Sequence, residues 1–550
     1  MGASRVVLAV LALSSIHARP ARSQAAPSDA PAAPEARREP DELDDERAAG
    51  SGSARPLVAP ADPRARVQWL KDRVAQVIAG EPRLGRARIA VSAVDLATGN
   101  ELIAHDADRA MSLASAAKLL TSVAALATLG GGFRWRTSVF GAEPDDKGVI
   151  AGDLYVRGRG DPTLGVEDLR ALAADVAARG VRDVDRLVVD AGYFDDVVEP
   201  PHFDDQKTET AGFRAPVASF GVARSTVTVT VVADPGGGAT VTLDPDPGHD
   251  PAHDPGDYLK LVNKGVTSVT RGRTRLQVDI RPRHDHLEIE VAGQIRWGEG
   301  SWDVKKRVAD PLRFAGEVFR RALVERGVRV RSRSLGRGVV PPQAKLLAAH
   351  DSAPLSELVR HMNKVSDNYV AESVLKTLGA ETRSTPGPAT WDDGRAALHA
   401  YLAKIGMPPA GYRADNGSGL FDATEVSARQ VTTVLRAAHK DYRVGPDLVA
   451  SLPVGGVDGT LARRWHGHPA LGRVRAKTGT LDKVTTLAGY LAIDGQHPVG
   501  FAVLVNDIPP GQRASARTTA DEIIDALVAY LASPAAPAVP ATPAAPQGAP

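Results

Sequence analysis

The sequence predicts an α/β protein in which one mixed unit is interrupted by a β-rich insert, and three observations carry that prediction. Residues 88–95 and 101–105 alternate around Thr98-Gly99-Asn100, the pattern of a β-hairpin. Residues 115–129 are mostly Ala, Leu, Lys and Val and stop at Gly130-Gly131-Gly132, which reads as a buried helix opened by Ser115. From about 137 to 304 the chain is rich in Val, Thr, Gly and Asp, with strand-like alternation at 225–232 and 276–280. Helical periodicity returns at 311–326 and 355–378, strands at 474–478 and 487–491, and a last helix at 519–531. The outer segments, 64–136 and 305–532, therefore read as one α/β unit split by an insert at 137–304.

A chain of 550 residues is too long for one core, so several domain-sized units are expected. Its ends read differently from its middle. Arg5, the apolar run 6–13 and the small residues Ser23 and Ala25 are those of an export signal, residues 1–25, cleaved near 18–25. Residues 26–63, of Ala, Pro, Arg, Asp and Glu, read as an unfolded linker, and the Ala/Pro tail 533–550 as a second such segment. No later stretch has the roughly 18 consecutive apolar residues of a membrane span. The expected product is an exported protein without a transmembrane segment, periplasmic or otherwise extracytoplasmic.

Lys and Arg number 67 against 66 Asp and Glu, a net charge of +1, which argues against a nucleic-acid partner. The absence of cysteine removes thiol catalysis, thiolate metal sites and disulfides. The chemistry falls to other side chains, and three motifs supply them in order: Ser115-Ala116-Ala117-Lys118, Ser366-Asp367-Asn368 and Lys477-Thr478-Gly479. A serine hydroxyl needs a base beside it, and a lysine three residues on shares its helix face. Lys118 takes the proton only when neutral, a state favoured by burial and a second positive charge such as Lys477. Ser366 can relay a proton to a leaving amine, and Asn368 can hold a substrate amide. Lys477 and Thr478 suit a free carboxylate. Gly479 allows close backbone approach, and the amides of Thr480 and Ser115 can stabilise a tetrahedral oxyanion.

Other patterns are set aside. A second Ser-x-x-Lys, Ser373 to Lys376, lies in the same expected helix as Ser366 and reads as structural. The loop Asp415-Asn416-Gly417-Ser418-Gly419 lacks a following Lys-Ser/Thr pair and is assigned packing. Residues Gly456 to Thr460 read as a turn. His249 and His253 interleave with aspartates, but the prolines among them mark a solvated loop rather than a metal site. No cofactor or metal is required.

With these motifs, the chain resembles the class C, low-molecular-mass penicillin-binding proteins, the D-alanyl-D-alanine carboxypeptidase/endopeptidase family. The likeness extends to Gly152–Val156, Gly160–Leu164, Val188–Phe194, Ala215–Val217, Ser225–Val229, Asp415–Leu420 and Gly459–Leu461. It implies a transpeptidase/β-lactamase-like domain, an antiparallel sheet with flanking helices, interrupted by one or two smaller β-rich domains. It also implies Ser115 as the acylated nucleophile and Lys118 as its base. Ser366 with Asn368 form the second element, and Lys477 with Thr478 the third. Peptidoglycan peptides are the implied substrate and β-lactams the covalent inhibitors, with the oligomeric state left open. Leu113-Ala114 stand where the family often has Pro-Ala, and 203–205 align only loosely with the region that contacts the peptide's diamino acid. Two rivals stand beside this reading. A serine β-lactamase would need a deacylating glutamate, for which Glu372 is the nearest approach but lacks the right setting. A wall-binding protein would keep the fold without turnover.

Overall fold

The hairpin expected from the first strands is one edge of a larger sheet. The structure, a computed structural model, describes residues 37–38, 57–203, 209–245 and 258–533. The export signal, most of the linker, the His249/His253 stretch and nearly all of the Ala/Pro tail lie outside the described residues. Five antiparallel strands run in the order Val474–Leu481, Val484–Leu491, Val499–Asn506, Arg88–Asp95, Glu101–His105. First and last segments of the outer unit thus meet in one sheet.

Strand alternation sends two residue sets to opposite faces. Val91, Ala93, Leu487, Phe501 and Val503 pack under the helices Pro63–Ala79 and Arg513–Ala532 through Leu70, Val74, Ile523 and Leu527. On the other face stand Ala90, Ala488, Ala502 and Leu504, facing Val431 and Leu435 of helix Ala428–Lys440. The alanines keep that face shallow, so a helix lies close, and Ser92 meets Thr432 at 2.9 Å between hydroxyls. A capping box fixes where this helix begins: Ser427 Oγ accepts from the Gln430 amide, and Gln430 Oε1 accepts from Ser427 N.

Between these parts lies a separate hydrophobic core. Its first sheet runs Gly336–Arg337, Leu187–Asp190, Leu154–Arg157, Arg136–Gly141, Lys345–Asp351, with helices Val166–Ala178 and Pro311–Glu325. Further strands at Thr226–Ala233, Ala239–Asp244 and Ser301–Arg307, and a group around Leu287–Arg296, complete it. Leu312, Phe314 and Leu347 belong to this core, which therefore draws on residues well past 304. The expected architecture, an antiparallel sheet with flanking helices interrupted by a β-rich insert, is the one observed.

Two expected elements differ. The helix expected at 355–378 is two, Leu355–Val365 and Asn368–Thr382, broken at Ser366, whose φ is +62°. Nor does Ser115 open an α-helix: it sits in a 3₁₀ turn, Ala114–Ala117, and the α-helix Lys118–Leu129 follows. Apolar periodicity runs through both places and conceals the change in backbone.

Candidate active site

The 3₁₀ turn holding Ser115 is fixed from three sides. Leu113 N donates to Thr424 O at 3.1 Å, Thr486 Oγ1 donates to Leu113 O at 2.9 Å, and Ser112 N donates to Asn506 Oδ1 at 2.8 Å. Ala114, just before the serine, adopts φ +45°, a left-handed conformation costly for a residue with a Cβ. Two glycines let the surroundings close on this turn. A Cβ on Gly479 would lie 2.3 Å from Thr486 Oγ1 and 2.5 Å from Leu113 O. A Cβ on Gly419, itself at φ +76°, would lie 2.0 Å from Ala114 O.

All three motifs converge here. Lys118 Nζ lies 3.0 Å from Ser115 Oγ, 2.7 Å from Asn368 Oδ1 and 3.1 Å from Ser418 O. Nζ is thus held by two carbonyl oxygens while it sits within hydrogen-bond reach of the serine hydroxyl, the position a base for that hydroxyl needs. Lys118 and Lys477 are fully buried, and Ser115 is 6 % exposed. Lys477 Nζ donates to Ser366 Oγ at 3.0 Å and to Thr478 O at 2.7 Å. Lys477 thus contacts the second motif and Lys118 the first and second, so the two amines share one buried cluster. Gly479 packs on the turn that holds Ser115, and Thr480 continues the same strand.

Sequence reasoning missed three contributors. The loop 415–419, assigned only to packing, supplies the Ser418 carbonyl to Lys118. It is held by Thr121 Oγ1, which donates to Gly417 O at 2.7 Å, and by Glu372, which accepts from the amides of Gly417 and Ser418 at 2.9 and 2.8 Å. Burial raises the Glu372 pKa, opposed by those bonds and by the Lys118 charge. The segment 456–460, read as a turn, brings Thr460 Oγ1 to 2.8 Å from Thr478 Oγ1. Lys364 anchors it, with Nζ 2.6 Å from both Asp458 oxygens and from Leu452 O. Finally, Asn368 Nδ2 donates to Phe213 O, a backbone group of the insert, at 3.3 Å. Backbone carbonyls leave no side-chain signature; the glycines flanking Ser418 were the only hint.

The second Ser-x-x-Lys is engaged elsewhere. Lys376 Nζ lies 2.6 Å from Asp195 Oδ1, 2.8 Å from Val197 O and over the Trp391 ring.

A sheet packed on a serine turn, with a lysine on the serine and a Lys-Thr-Gly edge strand beside it, has the layout of a serine acyl-transfer site. The chain belongs to the D-Ala-D-Ala carboxypeptidase 3 (S13) family, whose pattern matches residues 70–531. It is 36% identical over 458 residues to a D-alanyl-D-alanine carboxypeptidase of Actinomadura sp. (strain R39), covering 80% of this chain and 81% of that one. Its fold is like that of penicillin binding protein 4 (dacB) from Haemophilus influenzae, with TM-score 0.66 and 22% identity over 82% of this chain and 98% of that one. The same protein complexed with a β-lactam gives TM-score 0.64 at 22% identity, covering 81% of this chain and 98% of that one. The expected recognition as a low-molecular-mass penicillin-binding protein is therefore correct, and the chain is a serine-type D-alanyl-D-alanine carboxypeptidase.

Proposed function

We propose that Ser115 is the nucleophile, Lys118 its base, Ser366 and Asn368 the second element, and Lys477 with Thr478 the carboxylate site. The observation that carries this reading is Lys118 Nζ at 3.0 Å from Ser115 Oγ while two carbonyl oxygens occupy its N–H groups. Neutral Lys118 takes the serine proton as Oγ attacks the carbonyl carbon of the penultimate D-alanine. The amides of Ser115 and Thr480 stabilise the oxyanion, with Gly479 keeping the strand close. As the C–N bond breaks, the proton passes to the leaving amine by way of Ser366, and D-alanine departs. Water then cleaves the ester and restores Ser115.

The substrate is a peptidoglycan peptide, with activity on cross-linking D-amino bonds as a second expectation, and β-lactams acylate Ser115 in its place. The protein works outside the cytoplasm, after removal of the signal at 1–25. No described helix is long and apolar enough to cross a membrane. The catalytic domain comprises the segments on either side of the β-rich domains, with the linker 26–63 and the tail 533–550 at its ends. The β-lactamase alternative is disfavoured because both carboxylate oxygens of fully buried Glu372 accept from loop amides.

Intact-mass analysis after benzylpenicillin, with digestion of defined muropeptides, tests the reading. A long-lived adduct on Ser115, absent in Ser115→Ala, and release of D-alanine are expected. An adduct persisting in Ser115→Ala refutes the nucleophile; rapid penicillin turnover favours the lactamase; an adduct without muropeptide products favours a wall-binding role.

A further inference from the structure

We infer that the β-rich insert completes the catalytic site by clamping the second motif, with Arg224 as the positioning residue; the inference rests on the roles proposed for Ser366 and Asn368. Three consecutive residues of the catalytic unit each meet the insert. Arg224 Nε stands 2.9 Å from Asp367 Oδ2, Asn368 Nδ2 donates to Phe213 O at 3.3 Å, and Ser225 Oγ donates to Tyr369 OH at 3.4 Å. A Cβ on Gly221 would come within 2.6 Å of that Tyr369 hydroxyl, so the insert's backbone rides directly on the motif.

The segment that makes these contacts is held in an unfavourable shape. Ala223, Arg224 and Ser225 adopt φ of +50°, +56° and +53°, three successive non-glycine residues in the left-handed region. Its ends are tied down: Ala223 N donates to Leu164 O, Val308 N donates to Ser225 O, and strand Thr226–Ala233 starts at once. Strain persists only where the surroundings over-determine it, and here it directs a guanidinium onto a catalytic motif.

What the clamp holds explains its consequence. Asp367 lies between Ser366 and Asn368. Its Oδ1 accepts from Val370 N at 3.0 Å, capping the following helix, while its Oδ2 faces Arg224 and, at 3.2 Å, His361 Nε2. Arg224 Nη2 is also 2.9 Å from His361 Nε2, so the charge pair spans the break between the two helices. Ser366 occupies that break at φ +62°. A shift of Asp367 therefore moves the proposed proton relay on one side and, on the other, the oxygen that meets Lys118.

Arg224→Ala, Arg224→Lys, Asp367→Asn and the Arg224→Ala/Asp367→Asn double variant test the clamp, with Arg283→Ala, an exposed insert arginine paired with Glu288, as control. Benzylpenicillin acylation rates and kcat and KM on a D-Ala-D-Ala peptide are measured on protein shown folded by its melting profile. Arg224→Ala is expected to lower acylation and kcat by about 10–100-fold while KM moves less than about threefold. Arg224→Lys recovers part of the loss, the double variant is no slower than Asp367→Asn alone, and Arg283→Ala behaves as wild type. If Arg224→Ala does not fold, Arg224→Lys must by itself lower kcat more than it changes KM. Unchanged kcat in a folded Arg224 variant, or effects of the two substitutions that simply multiply, overturns the inference alone. Failure of the unmodified protein to form a Ser115 adduct overturns the site assignment and the inference with it.

Discussion

Asp367 shows how one buried charge ties stability to acidity. Burial pushes its carboxyl up, but the His361 bond, the Arg224 charge and the Val370 amide outweigh that and hold its pKa at about 2, against an ordinary 3.8. A depressed native pKa contributes stability that is fully present above the unfolded value and lost as pH falls through the folded one. Between about pH 4 and pH 2 this carboxylate should therefore forfeit about 2 kcal/mol. Urea midpoints from pH 6 downward should fall less steeply in Asp367→Asn than in wild type, and parallel curves would refute the assignment. Gly479 makes the complementary steric case. Gly479→Ala places a methyl inside the contact distances of Thr486 and Leu113, at an expected cost of about 1–3 kcal/mol. Because the strand can relieve the clash only by leaving the serine turn, acylation should fall more than stability does; equal acylation rates would contradict that packing.

Among the elements, helix Asn368–Thr382 carries both Asn368, proposed as part of the second element, and the second Ser-x-x-Lys. Lys376 is buried against Asp195, burial lowering its pKa and the Asp195 partner opposing this. Asp195→Ala leaves that amine without its carboxylate and should cost about 3–5 kcal/mol. Lys376→Met should cost less, since Asp195 is partly exposed and can be solvated. Both should retain penicillin labelling at Ser115, read by mass spectrometry at a temperature where the variants are folded. Lost labelling in folded Lys376→Met would return this pair to the catalytic candidates. The same helix marks the boundary of what sequence can disclose. Its motif letters were legible, as were the hairpin Arg88–His105 and the apolar run after Lys118, because spacing and alternation are local properties. The left-handed Ser366 was not, since apolar periodicity passes unbroken from Leu355 to Leu378; the capping aspartate Asp367, which accepts from Val370 N, is the local sign of the break. Ser418 was hidden for another reason: it contributes a carbonyl, which any residue possesses. Arg224 carried no local signal, because its partner is distant in the chain.

Over the whole molecule, the two ends of the catalytic unit are fastened together away from the site. Arg66 donates to Pro60 O at 2.9 Å, Ala61 O at 2.7 Å and Ser533 O at 3.1 Å, and Ser533 Oγ donates to Ala59 O at 3.1 Å. Helices Pro63–Ala79 and Arg513–Ala532 lie beneath this clasp on the sheet face opposite Lys118–Leu129. Arg66→Ala leaves the buried Ser533 carbonyl and two more accessible ones without this donor and should cost about 1–2 kcal/mol, read as a lower melting temperature. Acylation at 25 °C should stay at the wild-type rate, and a slower rate in folded protein would mean that the clasp reaches the site.

The edge of the same sheet sets one last condition. Ala476 N donates to Pro453 O and Gly455 N donates to Val474 O, so strand Val474–Leu481 is roofed by its own loop as far as Ala476. The roof stops just where Lys477 begins. If a ligand lies along the strand as proposed, with its carbonyl at Thr480 and its carboxylate at Thr478, this loop stands beyond the carboxylate, and a free terminus should be accepted more readily than a chain that continues past it.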